Sequence, residues 1–171
     1  MGEIEWKAIA ILTEWRLVST FRCIAVKRSR FDDESSSYEV HAEPCHSSYF
    51  LTDLATGRVS SYDDYRRERI TGGIPEVVYP YQFHGEAIPA RLAFPMSLSV
   101  WGRRSDTYRM VKAVEDGERL TVDLVNKKDP DDAGRLVIDV ARRAVVELDT
   151  SSLWLTYEGV EPAQDRFWPA S

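Results

Sequence analysis

Between Thr107 and Val160 apolar residues recur at every second position in short runs cut by turn residues, and this period commits the last third of the chain to antiparallel sheet. Leu120, Val122 and Leu124 alternate with Thr121 and Asp123, and Leu136, Ile138 and Val140 repeat the spacing. Ala144, Val146 and Leu148 alternate with Glu147 and Asp149; Leu153, Leu155 and Tyr157 alternate with Trp154, Thr156 and Glu158. Five strands are read here, each with one packed and one wet face. Asp116-Gly117 is a strong hairpin dipeptide, and Lys128 to Asp132 followed by Gly134 is a longer polar turn, so the strands form a meander.

Upstream the period changes. Ile4, Ala8, Ile11, Trp15 and Val18 fall three or four apart and predict an amphipathic helix whose stripe packs on the sheet. Its polar side is mixed in sign, unlike the basic face of a membrane-surface helix. Residues 21–30 and 37–43 read as a hairpin around the polar turn 31–36, and residues 48–54 as a further strand ending at Gly57. Ser61 and Asp64 have capping-box-like spacing, Arg66, Arg67 and Arg69 would close a last turn, and Gly72-Gly73 would end it. A helix is therefore expected there, with a hairpin strand through Val59 and Tyr62 as the alternative. Residues 72–85, with Pro75, Tyr79, Pro80, Tyr81 and Phe83, read as a long loop or lid. A short helix is expected from Pro89, broken at Pro95, and its apolar residues Leu92, Ala93, Phe94 and Met96 suit insertion into a core or the mouth of a cavity.

With 171 residues, 43% of them hydrophobic, and no Gly/Ser/Pro-rich linker, the chain is read as a single domain, residues 1–171. The net charge of −6 argues against a nucleic-acid partner. Arg16 to Arg30 carry five basic residues and no acid, but Asp32, Asp33, Glu34, Glu39 and Glu43 follow on the expected partner strand and cancel them. No apolar run approaches the roughly 20 residues of a membrane span. Glu3 and Glu5 precede the first apolar stretch where an export signal would carry basic residues, so a cytoplasmic location is expected.

No GxSxG, GxxxxGK, GxGxxG or HExxH motif is present, so no enzyme and no cofactor is expected. His84, beside Gly85 in the aromatic loop, is the best acid–base candidate but has no assigned partner. His41, Cys45 and His46 are close in sequence, and the hairpin would set Cys23 opposite Cys45. On a strand, however, His41 and Cys45 share a face while His46 points to the other, and no CxxC or HxxxH unit exists, so no metal site is expected. Both thiols should stay reduced in a chain without an export signal.

The element order, Arg91-Leu92-Ala93-Phe94-Pro95, the runs 117–124 (GERLTVDL) and 134–139 (GRLVID), and Leu155-Thr156-Tyr157 together resemble the LolA/LolB-type lipoprotein carrier superfamily. The resemblance implies an α+β fold: a strongly curved antiparallel sheet, or half-barrel, covered by an N-terminal helix and short inserted helices over an apolar cavity for acyl chains. Where such carriers often show an arginine and tryptophan after an early proline, this chain has Pro44 to Tyr49, with Ser48 in place of the arginine.

Two functions are expected from these readings. The first is a non-catalytic binding protein holding an acyl chain, a lipid or another apolar small molecule, with Trp15, Phe94, Met96, Trp101 and Trp154 as the contact residues. The second is a protein–protein interaction module with a self-filled core, which would meet its partner at a sheet edge or at Arg66 to Arg69.

Overall fold

The computed structural model describes residues 2–29, 34–79 and 86–167. An opening helix α1 (Glu3–Thr13) is followed by strands β1 (Phe21–Ser29), β2 (Ser35–Glu43), β3 (Ser48–Asp53), β4 (Val59–Asp63), β5 (Glu68–Thr71) and β6 (Ile74–Val77). Further along the chain come β7 (Tyr108–Asp116), β8 (Arg119–Asn126), β9 (Ala133–Asp139), β10 (Ala144–Asp149) and β11 (Leu153–Pro162). These strands pair antiparallel in one open sheet of order β6-β5-β4-β3-β2-β1-β11-β10-β9-β8-β7. The sheet is thus two meanders joined along a single seam, β1 against β11.

Local chemistry accounts for the hairpins. Asp116 faces Arg119 across a two-residue loop in which Gly117 takes φ 59°, a conformation that side chains disfavour. Residues 61–73 are a correction to the expected helix: they are β4, a four-residue turn and β5. Asp63 Oδ1 accepts the Arg66 N–H at 3.1 Å and Asp64 pairs with Arg67 at 3.0 Å, so the carboxylates cap a tight turn instead of a helix start. Gly72 and Gly73, both at positive φ, are the two-residue turn between β5 and β6.

Among the described residues, bulges in three ladders bend the strands that carry them. The one in β10 changes which side chains face the core. Val145 pairs with Ile138 and Leu148 with Leu136, so Val145 and Leu148 turn inward three residues apart, and Val146 leaves the simple alternation of Ala144, Val146 and Leu148. Elsewhere alternation holds: Leu120, Val122 and Leu124 of β8, Leu136 and Ile138 of β9, and Leu155 and Tyr157 of β11 are buried on one face.

Helix α1 starts with Glu5 Oε2 accepting the Gly2 N–H at 2.8 Å. It packs Ala8, Ile11 and Leu12 into the core against β7, β8 and β10. Glu5 also accepts the Ala113 N–H at 3.3 Å and Lys7 meets Glu115 at 2.5 Å, so the helix is pinned to the edge strand β7. At the other edge, Pro75 of β6 lacks an N–H, which weakens that edge as a template for a further strand. No helix among the described residues is long and apolar enough to cross a membrane.

Candidate functional site

Between the two meanders the described residues include two 3₁₀ turns, Ile88–Ala93 and Pro95–Ser97, each with a proline in its first turn. The first plugs the sheet, touching β1, β2, β3 and β10. Two tyrosines hold it: Tyr157 donates from its buried hydroxyl to the Pro89 carbonyl at 2.8 Å, and the Tyr49 hydroxyl accepts the Ala87 N–H at 3.1 Å. Burial pushes the titration of both hydroxyls above the usual tyrosine range, so they stay neutral. Phe94, 2% exposed, sits between Trp15 at 5.5 Å, ring edge to ring face, and Tyr49 at 6.0 Å. Between α1, the plug and β10 only about 10 Å³ is open to the centre of a water molecule, room for one water at most.

The five residues expected at an apolar site are therefore not brought together. Trp15 and Phe94 touch within the core, and Trp101 is half-buried against the core with its indole N–H on the Pro95 carbonyl at 2.9 Å. Met96 is 38% exposed. Trp154 alternates with Leu155 and so stands on the opposite face of β11, where the Arg28 guanidinium lies 4.6 Å from its ring centre. The alternation of residues 153–157 already carried that signal. The expected lid over residues 72–85 is corrected in its first part, where residues 74–77 are strand β6 paired with β5; residues 80–85, His84 among them, lie outside the described residues. The arginines of residues 66–69 are matched locally, Arg66 with Asp63 at 3.7 Å, Arg67 with Asp64, and Arg69 with Glu76 at 2.6 Å.

An open groove with apolar lining lies elsewhere. After α1 a 3₁₀ turn, Trp15–Leu17, sends Trp15 inward and leaves Leu17 73% exposed over a groove of about 330 Å³. Val18, Phe21, Ala144, Val160 and Pro162 give it an apolar lining, and Arg142, Arg143 and Glu161 stand on its rim. These three are already partnered, Arg142 with Asp139 at 2.6 Å, Arg143 with Glu14, and Glu161 with Arg22 at 3.0 Å. The sequence places Leu17 off the helical stripe, the one mark it leaves.

A second polar cluster gathers where β2 turns into β3. Residues 44–46 form a 3₁₀ turn, not strand, closed by Ser47 at φ 53°, so the two-face argument that separated Cys45 from His46 does not apply. Cys45, His46 and Asp165 bring one donor atom each to within 4.8 Å of one another, and His46 Nε2 lies 3.5 Å from Asp165 Oδ2. Thr20 donates its hydroxyl to the other Asp165 oxygen. Glu43 is fully buried: Oε1 accepts the backbone N–H groups of Arg166 and Phe167 and lies 3.3 Å from His41 Nε2, while Oε2 has no partner among the described residues. Burial first, then the Asp165 and Glu43 charges, raise the Cys45 thiol above its usual range. Cys23 is not opposite Cys45; it faces Val40 in the buried sheet, and burial pushes its thiol up to about 12. Neither cysteine forms a disulfide.

Asp132 is the remaining polar hub. Its Oδ2 accepts from Asn126 Nδ2 at 2.7 Å, the Tyr108 hydroxyl at 2.9 Å and the Ser151 hydroxyl at 3.0 Å, tying the β8–β9 turn to the β10–β11 turn. The Asn126 bond and, after a smaller opposing effect of burial, those from Tyr108 and Ser151 hold this carboxyl below its ordinary value.

No protein-family profile and no curated protein matches this sequence. Among solved structures, MucB in the Pseudomonas aeruginosa MucA/MucB complex overlays with a TM-score of 0.53 and 16% identity, over 95% of this chain and 60% of that one. A second structure of MucB gives 0.50 and 13%, over 97% of this chain and 62% of its own. An uncharacterized conserved protein from Thermus thermophilus gives 0.49 and 11%, over 95% and 89%. This chain spans less than two thirds of MucB, and at these identities the likeness is one of fold alone, an antiparallel sheet similar to that of MucB.

Proposed function

We propose that this chain is a non-catalytic binding module that grips a short apolar segment of a protein partner in the groove beside Leu17. The observation that carries the reading is a contrast: the space between α1, the plug and β10 has room for one water, while a groove of about 330 Å³ stands open under a leucine that is 73% exposed. Covering a side chain of that size contributes about 1.5–3 kcal/mol, and the groove is at the lower end of the roughly 300–1,000 Å³ usual for binding sites. Arg142 and Arg143, matched within the chain, would set register and favour an acidic flank more than they add affinity. MucB, whose fold this chain shares in outline, is held in a complex with MucA, which supports a protein partner.

The strongly curved half-barrel of the carrier families is supported by the bulges and by a plug that touches β1–β3 and β10 at once. An acyl chain inside that curve would need α1 and the plug to part. A peptide library selected on the purified chain tests the proposal. Selected peptides should share a large apolar anchor and lose at least about tenfold in affinity, about 1.4 kcal/mol, to Leu17→Asp, a surface change that leaves the melting temperature in place. Equal binding to Leu17→Asp, or micromolar uptake of a fluorescent fatty acid by both forms, would overturn it.

A further inference from the structure

We propose that Cys45, His46 and Asp165 form a zinc site that ties the segment after β11 to the β2–β3 turn. The donor set is the first argument. One sulfur, one imidazole nitrogen and one carboxylate oxygen suit Zn²⁺, whereas magnesium and calcium take oxygen donors. The spacing is the second. A tetrahedral ion with bonds of about 2.0–2.3 Å sets its donors about 3.3–3.6 Å apart. His46 and Asp165 are already at 3.5 Å, and the three donor atoms lie within 4.8 Å of one another, so binding requires the exposed Cys45 side chain to move in by about an ångström.

The surroundings are the third argument. Thr20 fixes one oxygen of Asp165 and leaves the other toward His46, the arrangement by which an outer partner orients a metal-bound carboxylate. Glu43, fully buried two residues before Cys45, acts on the thiol together with Asp165, and its Oε2 has no hydrogen-bond partner among the described residues. Two carboxylates beside a thiol make a locally negative place. Two arginines close to this turn have partners of their own, Arg16 on the Ser47 hydroxyl and Arg166 over the Phe50 ring. On binding, the Cys45 S–H gives its proton to solvent and the thiolate takes the metal, so affinity falls as pH is lowered. Three protein ligands leave a fourth position for water or for a donor from a partner.

The test uses Co²⁺ as the spectroscopic probe on the full, untagged chain. The expected result is 1:1 binding at micromolar Co²⁺ or below, with tetrahedral ligand-field bands and a thiolate-to-cobalt charge-transfer band, all displaced by Zn²⁺. Cys45→Ser should remove the charge-transfer band, Asp165→Asn and His46→Gln should each weaken binding by at least about tenfold, and Thr20→Ala should weaken it by about tenfold through loss of the orienting bond. Circular dichroism on the same samples shows each variant folded, and Cys23→Ser should leave every band in place. No bands with the wild-type chain at millimolar Co²⁺, or a charge-transfer band that survives Cys45→Ser, would overturn the site.

Discussion

Replacing Phe94 with alanine asks whether the interior is filled or hollow. The ring is 2% exposed, and the backbone around it is held by the Phe94 N–H on the Arg91 carbonyl and the Ser97 N–H on the Phe94 carbonyl, which alanine keeps. Burial of the ring beyond a methyl group covers roughly 120 Å², or about 3 kcal/mol at about 25 cal/mol per Å². The contacts with Trp15 and Tyr49 add about 0.5–1.5 kcal/mol each. Partial collapse of the neighbours offsets some of this, so the expected loss is about 3–5 kcal/mol, or roughly 6–20 °C in Tm for a chain of this size. Urea unfolding should show the midpoint falling with the m-value unchanged. The space vacated should also admit a benzene-sized molecule that the wild type refuses. A loss under about 1.5 kcal/mol, or equal uptake of the probe by both proteins, would refute the filled interior and place the ring at the mouth of a cavity.

Two further outcomes are expected. Asp132 titrates below its unfolded value, so the stability it contributes is present above the unfolded pKa of about 3.9 and is lost as pH falls through the lower folded value. Urea midpoints measured down through that window should fall more steeply for wild type than for Asp132→Asn, and parallel profiles would remove Asp132 from the acid limb. At Gly134 an added Cβ would lie 2.7 Å from the Asp149 carbonyl oxygen and 3.2 Å from Thr150 Cγ2, so Gly134→Ala should cost about 1–3 kcal/mol by thermal melting. A neutral result there would mean that the β9–β10 ladder shifts freely.

The sheet was legible wherever period two met a turn that chemistry names. The five C-terminal strands and the Gly117 hairpin follow from alternation and a left-handed glycine, and the first helix follows from its stripe as far as Thr13, beyond which Trp15 and Val18 of the same stripe leave the helix. The expected helix over residues 61–73 failed because Asp63 caps a four-residue turn by the same kind of backbone bond that caps a helix, while Asp64 pairs with the Arg67 side chain in either fold. Gly72-Gly73 fits a helix stop and a hairpin turn equally well. The bulge in β10 could not be read either, since inserting one residue leaves the composition of the strand unchanged while turning Val145 inward. At the candidate sites the limit was distance along the chain. Asp165 meets Cys45 and His46, and Ala144 and Val160 meet Leu17, only through pairings of strands remote in sequence.

The seam between β1 and β11 has a consequence for how this molecule is made. Of the strands in the sheet, β1 is the first to leave the ribosome and β11 the last, so the join between the meanders waits until every other strand has been synthesised. Until then one side of β1 is an open backbone edge, and the plug sits on β1, β2 and β3 without the Tyr157 hydroxyl that holds Pro89. Closing so remote a contact late places folding toward the slow end, on the order of milliseconds to seconds, with an adhesive intermediate along the way. Chains that end before Leu153 should therefore accumulate as aggregates, and rejoining β11 to the N-terminus ahead of α1 by circular permutation should make folding faster without adding a contact.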